Sequence, residues 1–77
     1  MFIIYGKEGC SVCESTKKFM DLNGFEYEYK EYGKDYDKEE ILELLEYPVG
    51  PITMPQIFAP NGNHIGGFDD FLEIYQE

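Results

Sequence analysis

The sequence predicts an α/β fold, a four-stranded mixed sheet with helices on both faces, in the order β-α-β-α-β-β-α. Three observations carry that expectation. Phe2-Ile3-Ile4-Tyr5 is an unbroken apolar run, the pattern of a strand covered on both sides. Glu26 to Tyr32 is built of charged and aromatic residues that alternate strictly up to Lys30, the period of a half-exposed strand. Apolar residues recur at helical spacing after Ser11, after Asp37 and from Phe68 onward.

The elements follow in order. Gly6 to Gly9 form a loop carrying Lys7. Ser11 is the expected N-cap of a helix reaching about Asn23, with Gly24 as its stop and Val12, Thr16, Phe19 and Met20 on one face. The alternating segment, charged on one side, suits a sheet edge. Strand, helix and strand then make a βαβ unit, whose crossover should be right-handed. Asp37 followed three residues later by Glu40 reads as a capping box, with Ile41, Leu44 and Leu45 as the buried stripe behind it. Pro48 and Pro51 end that helix and leave Tyr47 to Thr53 irregular. Gln56 to Ala59 is a short strand, Asn61-Gly62 a hairpin turn, and His64-Ile65 the return strand. Gly66-Gly67 break the sheet, and Phe68, Phe71, Leu72 and Tyr75 define a last amphipathic helix.

A chain of 77 residues is the size of one domain, here residues 1–77, and buries about 60–65% of its unfolded surface. Seven Tyr and six Phe supply a core that a disordered chain would lack. Sixteen Asp and Glu against six Lys and Arg give a formal charge of −10, which repels phosphate backbones and disfavours nucleic acid as a partner. Most of these carboxylates need mean nothing beyond solubility. The run Phe2 to Tyr5 is far shorter than the roughly 20 apolar residues of a membrane span, and too short for a signal-peptide core. The expected setting is a monomer in the cytoplasm, with no membrane partner.

In a reducing compartment the two cysteines, Cys10 and Cys13, are expected to do chemistry rather than staple the fold. A bond between them closes a loop of about four residues and constrains the unfolded chain little. Cys10 falls just before the first helix and Cys13 one turn inside it. Exposed amide N–H groups and the positive dipole end favour an anion there, so the Cys10 thiol should ionise below its ordinary value of about 8.5. Lys7 adds a cation, while Glu8 and Glu14 oppose it. A lower value brings only a few-fold net gain in attack, because nucleophilicity falls along with basicity; the larger benefit is a better leaving group. The rival reading, half a zinc site, wants four ligands where the chain offers two Cys and one distant His64. No metal ligands are therefore assigned, and His64 reads as a hairpin residue.

Three segments, Lys7-Glu8-Gly9-Cys10-Ser11-Val12-Cys13, Thr53-Met54-Pro55-Gln56-Ile57-Phe58 and His64-Ile65-Gly66-Gly67-Phe68-Asp69-Asp70, together resemble the glutaredoxin family, above all its small phage-encoded members. The resemblance implies the thioredoxin fold and a dithiol–disulfide oxidoreductase with Cys10 and Cys13 as catalytic residues. It implies glutathione as reductant and co-substrate, with no tightly bound cofactor. Thr53-Met54-Pro55 looks like the family's cis-proline loop, whose Met54 backbone would pair with an incoming peptide or with the cysteinyl part of glutathione. Gly67, Phe68, Asp69 and Asp70 look like the site for its γ-glutamyl end, Lys7 would meet its glycyl carboxylate, and Val12 stands in one wall. Taken alone, Asp69 and Asp70 read as helix-start residues and Lys7 as a solvated loop lysine. Ser11 and Val12 replace the family's usual Pro and Tyr, and the second-helix segment supplies no Arg for a glutathione carboxylate. The implied partners are disulfide-bearing proteins, a ribonucleotide reductase among them, with glutathione or a thioredoxin reductase as electron source. In a phage-encoded chain the compartment is the host cytoplasm. Three alternatives remain at this stage: a thioredoxin-like donor that barely uses glutathione, a non-catalytic metal or iron–sulfur module, and a pure adaptor that uses its acidic face.

Overall fold

Successive side chains of a strand point to opposite faces, so the apolar run at the N-terminus must be covered twice. In the computed structural model, which describes residues 1–75, it is. The elements are β1 (Phe2–Gly6), α1 (Ser11–Leu22), β2 (Tyr27–Glu31), α2 (Lys38–Leu44), β3 (Gln56–Phe58), β4 (His64–Gly66) and α3 (Phe68–Tyr75). Phe2 and Ile4 pack with Met20 of α1, Ile57 of β3 and Phe71 of α3. Tyr5, on the other face, packs with Tyr36, Ile41 of α2 and Phe58, and Ile3 joins them. Helices thus cover both faces of the sheet, as the sequence predicts.

The strand order is β2-β1-β3-β4. β1 runs parallel to β2, from Phe2 opposite Tyr27 to Gly6 opposite Glu31. It runs antiparallel to β3, with Tyr5 opposite Gln56. β3 and β4 are antiparallel, with an irregular register at Ile57 and Phe58. β2 is an edge strand, as its charged face leads one to expect. Phe71 is fully buried where three rings meet it edge-on, Phe25 at 5.3 Å, Phe2 at 5.6 Å and Phe19 at 6.0 Å between centroids.

Several local expectations are corrected. The N-cap of α1 is Cys10, not Ser11: Cys10 has extended backbone and its sulfur accepts from the Cys13 N–H at 3.1 Å. That register turns Cys13, Thr16 and Met20 inward and leaves Val12 46% exposed, so Val12 does not belong to the buried face. In α2, Asp37 caps the Glu40 N–H at 2.9 Å as predicted, but Leu44 is exposed. The seven-residue helix directs Ile41 inward, then leaves its axis at Glu46 and Tyr47, both in the left-handed region. Asn61-Gly62 does turn the chain, within a longer connection over 59–63. There the Gly62 N–H bonds to the Ala59 carbonyl and the Asn61 side chain accepts from Asn63.

Candidate active site

The end of β1 sets the base of the site. The Gly6 carbonyl accepts from the Tyr36 hydroxyl at 2.8 Å and from the Tyr32 N–H at 2.9 Å. A Cβ at Gly6 would collide with the Tyr29 ring, whose hydroxyl donates to the Lys7 carbonyl at 3.5 Å. A glycine is therefore required for this close approach. The chain then turns through Gly9, with φ of 75°, and enters α1 at Cys10.

Cys10 and Cys13 are joined as a disulfide, with Cα atoms 5.2 Å apart. Their environments differ. Cys13 is completely buried, whereas Cys10 is only partly covered and stands at the mouth of the helix. An acceptor sulfur in the N-cap position receives an otherwise orphaned backbone N–H and lies at the positive end of the helix dipole. Across from it, the Met54 carbonyl oxygen lies 3.9 Å from the Cys10 sulfur. The Met54–Pro55 bond is cis, as the loop's resemblance implies.

Beside the sulfur lies a cleft of about 300 Å³ lined by Val12, Thr53, Met54, Pro55, Gly67, Phe68, Asp69 and Asp70. Eight residues singled out from sequence thus form one concave surface. Its two lips are the Thr53–Pro55 loop and the start of α3. Asp70 ties down the second lip by accepting from the Gly67 N–H at 2.9 Å. Gly66, with φ of 121°, precedes that contact, and a Cβ there would meet the Asp70 carboxylate.

Lys7 is not in this cleft. It lines an adjoining groove of about 510 Å³ with Tyr32, Lys38, Ile41, Leu42, Gly50, Pro51, Ile52 and Met54. Met54 is the wall shared by the two. The α2 segment, which offers no Arg, nonetheless contributes a cation through Lys38 at its first position. A third depression, about 550 Å³ along α1 and Tyr27, includes neither cysteine, and its lining charges, Glu14, Lys17, Lys18 and Asp21, offset one another.

Sequence reasoning missed Tyr36, Lys38 and the side chain of Gln56. Tyr36 is buried and donates to the Gly6 carbonyl, and its hydroxyl lies 3.5 Å from the Met54 sulfur. Burial, and then the neighbouring tyrosines 29, 32 and 5, push its pKa from 10.0 up to about 12. Nothing in a tyrosine one residue before a helix cap marks it as a buttress. His64, read from sequence as a hairpin residue, also reaches the neighbouring strand: its Nε2 lies 2.7 Å from the Gln56 side-chain oxygen.

Residues 2–65 match the family model for Glutaredoxin. The chain is 34% identical to the glutaredoxin of Enterobacteria phage T4, over 99% of this chain and all of that one. It is 33% identical to rice Glutaredoxin-C6, over 97% of this chain and 66% of that one. Among solved structures, a buckwheat glutaredoxin–glutathione complex superposes with a TM-score of 0.78 at 31% identity, covering 97% of this chain and 67% of that one. The reduced Escherichia coli glutaredoxin gives 0.67 at 29% identity, covering 95% and 89%. These neighbours share the thioredoxin fold with the sheet described above. A paired Cys-x-x-Cys at a helix start, facing a cis-proline loop on that sheet, joins the sequence matches in one conclusion: the chain belongs to the glutaredoxin family of thiol–disulfide oxidoreductases.

Proposed function

We propose that the protein reduces glutathione mixed disulfides and protein disulfides, with Cys10 as attacking sulfur and Cys13 as resolving sulfur. The observation that carries this is the asymmetry of the pair: a partly exposed Cys10 capping a helix, bonded to a fully buried Cys13. The Cys10 thiolate attacks one sulfur of the substrate disulfide, forming a mixed disulfide and expelling the other sulfur as a thiolate that takes a proton. Cys13 then gives up its proton and displaces the substrate from Cys10, leaving the Cys10–Cys13 disulfide. Two molecules of glutathione return it to the dithiol and leave as glutathione disulfide; a thioredoxin reductase is the alternative electron source. When the first mixed disulfide is with glutathione itself, a second glutathione resolves it and Cys13 is dispensable.

The cleft supports glutathione as the bound group. The Met54 carbonyl lies beside the Cys10 sulfur, Gly67 to Asp70 would offer N–H groups and carboxylates to an amino acid end, and Lys7 and Lys38, in the adjoining groove, would meet the opposite, carboxylate end. A glutaredoxin solved with glutathione is among the structural neighbours. Val12, exposed at the rim, makes a smaller wall than an aromatic residue would. We read the chain as a single monomeric domain acting in the cytoplasm, the host's for a phage-encoded protein. The resemblance to phage members makes a ribonucleotide reductase the first protein acceptor to test. Among the described residues no helix is long and apolar enough to cross a membrane.

Cysteine variants test the reading. Cys10→Ser should lose all turnover. Cys13→Ser should retain deglutathionylation but accumulate a covalent adduct with a protein disulfide substrate, visible by mass spectrometry. Full activity in Cys10→Ser sinks the assignment.

A further inference from the structure

Gln56 is a buried polar side chain, 8% exposed, that the reaction above leaves unused. Its partners determine its orientation. The Thr53 carbonyl can only accept, so the Gln56 amide nitrogen, 2.7 Å away, donates to it. The Gln56 amide oxygen must then face His64, whose Nε2 at 2.7 Å serves as an N–H donor. The His64 ring also lies on Phe58, with centroids 4.9 Å apart. A continuous hydrogen-bonded chain therefore runs from β4 through Gln56 to the carbonyl just before Met54.

We propose that Gln56 and His64 are positioning residues that hold the two lips of the cleft at a fixed separation. One end of the chain grips Thr53, on the loop that faces Cys10. The other stands on β4, which leads directly into Gly66, Gly67 and the start of α3. The backbone ladder alone joins these lips weakly, because β3 and β4 have three residues each and their register slips at Ile57 and Phe58. A side-chain link beside that irregularity replaces what the ladder lacks. Neither residue touches the reacting sulfurs; they act through Thr53 and thus on substrate capture. The inference rests on the reading that this cleft receives the substrate.

The test compares His64→Phe, which keeps a ring over Phe58 but removes the donor, His64→Gln, which restores a donor, and Gln56→Leu. Turnover of the mixed disulfide of glutathione with 2-mercaptoethanol gives kcat and KM, and iodoacetamide alkylation reports on Cys10 independently of the cleft. Loss of a partly buried hydrogen bond in a binding lip corresponds to a KM raised about three- to tenfold, with kcat and alkylation within about twofold of wild type. His64→Gln should recover part of the lost affinity. A KM unchanged in both His64→Phe and Gln56→Leu overturns the proposal, as does alkylation that slows in proportion to turnover. Failure of the wild-type protein to use the glutathione substrate would refute the glutathione reading instead; the same comparison with insulin disulfides then decides the role of Gln56 and His64.

Discussion

Replacing Tyr36 by Phe removes one oxygen from a buried position and should reverse its effect on stability between neutral and alkaline pH. Tyr36 is 5% exposed, and its hydroxyl donates to the Gly6 carbonyl at 2.8 Å. That carbonyl keeps a second donor, the Tyr32 N–H at 2.9 Å, so the variant leaves no orphaned acceptor there. The cost at pH 7 is then that of one net hydrogen bond, about 0.5–1.5 kcal/mol, rather than a full desolvation penalty. For a chain of this size, 1 kcal/mol corresponds to a fall in Tm of about 4–8 °C. At high pH the sign changes. Burial raises the Tyr36 pKa from 10.0 to about 12, so the folded state favours the protonated hydroxyl. That contribution is fully present below pH 10 and is lost as pH rises through 12, an amount of about 2–3 kcal/mol. Phe cannot ionise and loses none of it. The stability curves of the two proteins should therefore cross near about pH 11, with the variant the more stable above it. Tyr5, Tyr27 and Tyr29 are also raised by burial and give both proteins a common alkaline decline, which the difference removes. Urea unfolding at pH 7 to 12 on the disulfide form, whose sulfurs do not titrate, measures this directly. Parallel curves that never converge would refute the assignment of a buried, neutral Tyr36.

Two further outcomes are expected. Lys7→Gln combined with Lys38→Gln should raise KM for the glutathione mixed disulfide about three- to tenfold with kcat unchanged, and should make KM less sensitive to salt; steady-state kinetics at two ionic strengths checks it, and an unaltered KM removes the groove from the binding site. Phe71→Ala empties the centre of the aromatic cluster and should cost about 3–5 kcal/mol, a large share of the stability of a domain this small; denaturant unfolding showing a loss below about 1 kcal/mol would contradict the packing described.

The eight residues of the cleft came from the resemblance to the glutaredoxin family; the sequence by itself determined the order of elements, the two-sided burial of β1 and the cysteine pair at a helix start. These features follow from local rules: strand and helix periods, a cap signal at Asp37, Gly and Pro as punctuation, and motifs whose spacing is short. Tertiary structure decided whatever depends on which way a helix is turned and on contacts between distant segments. Cys10 rather than Ser11 caps α1, because the inward path of Cys13, Thr16 and Met20 fixes one rotation of the helix, and that rotation puts Val12 outside. Tyr36, Gln56 and His64 carried no periodic signal. They became supports only when folding placed Tyr36 beneath Gly6 and Met54, and His64 against Gln56, since a polar group removed from water must find its partner wherever the chain brings one.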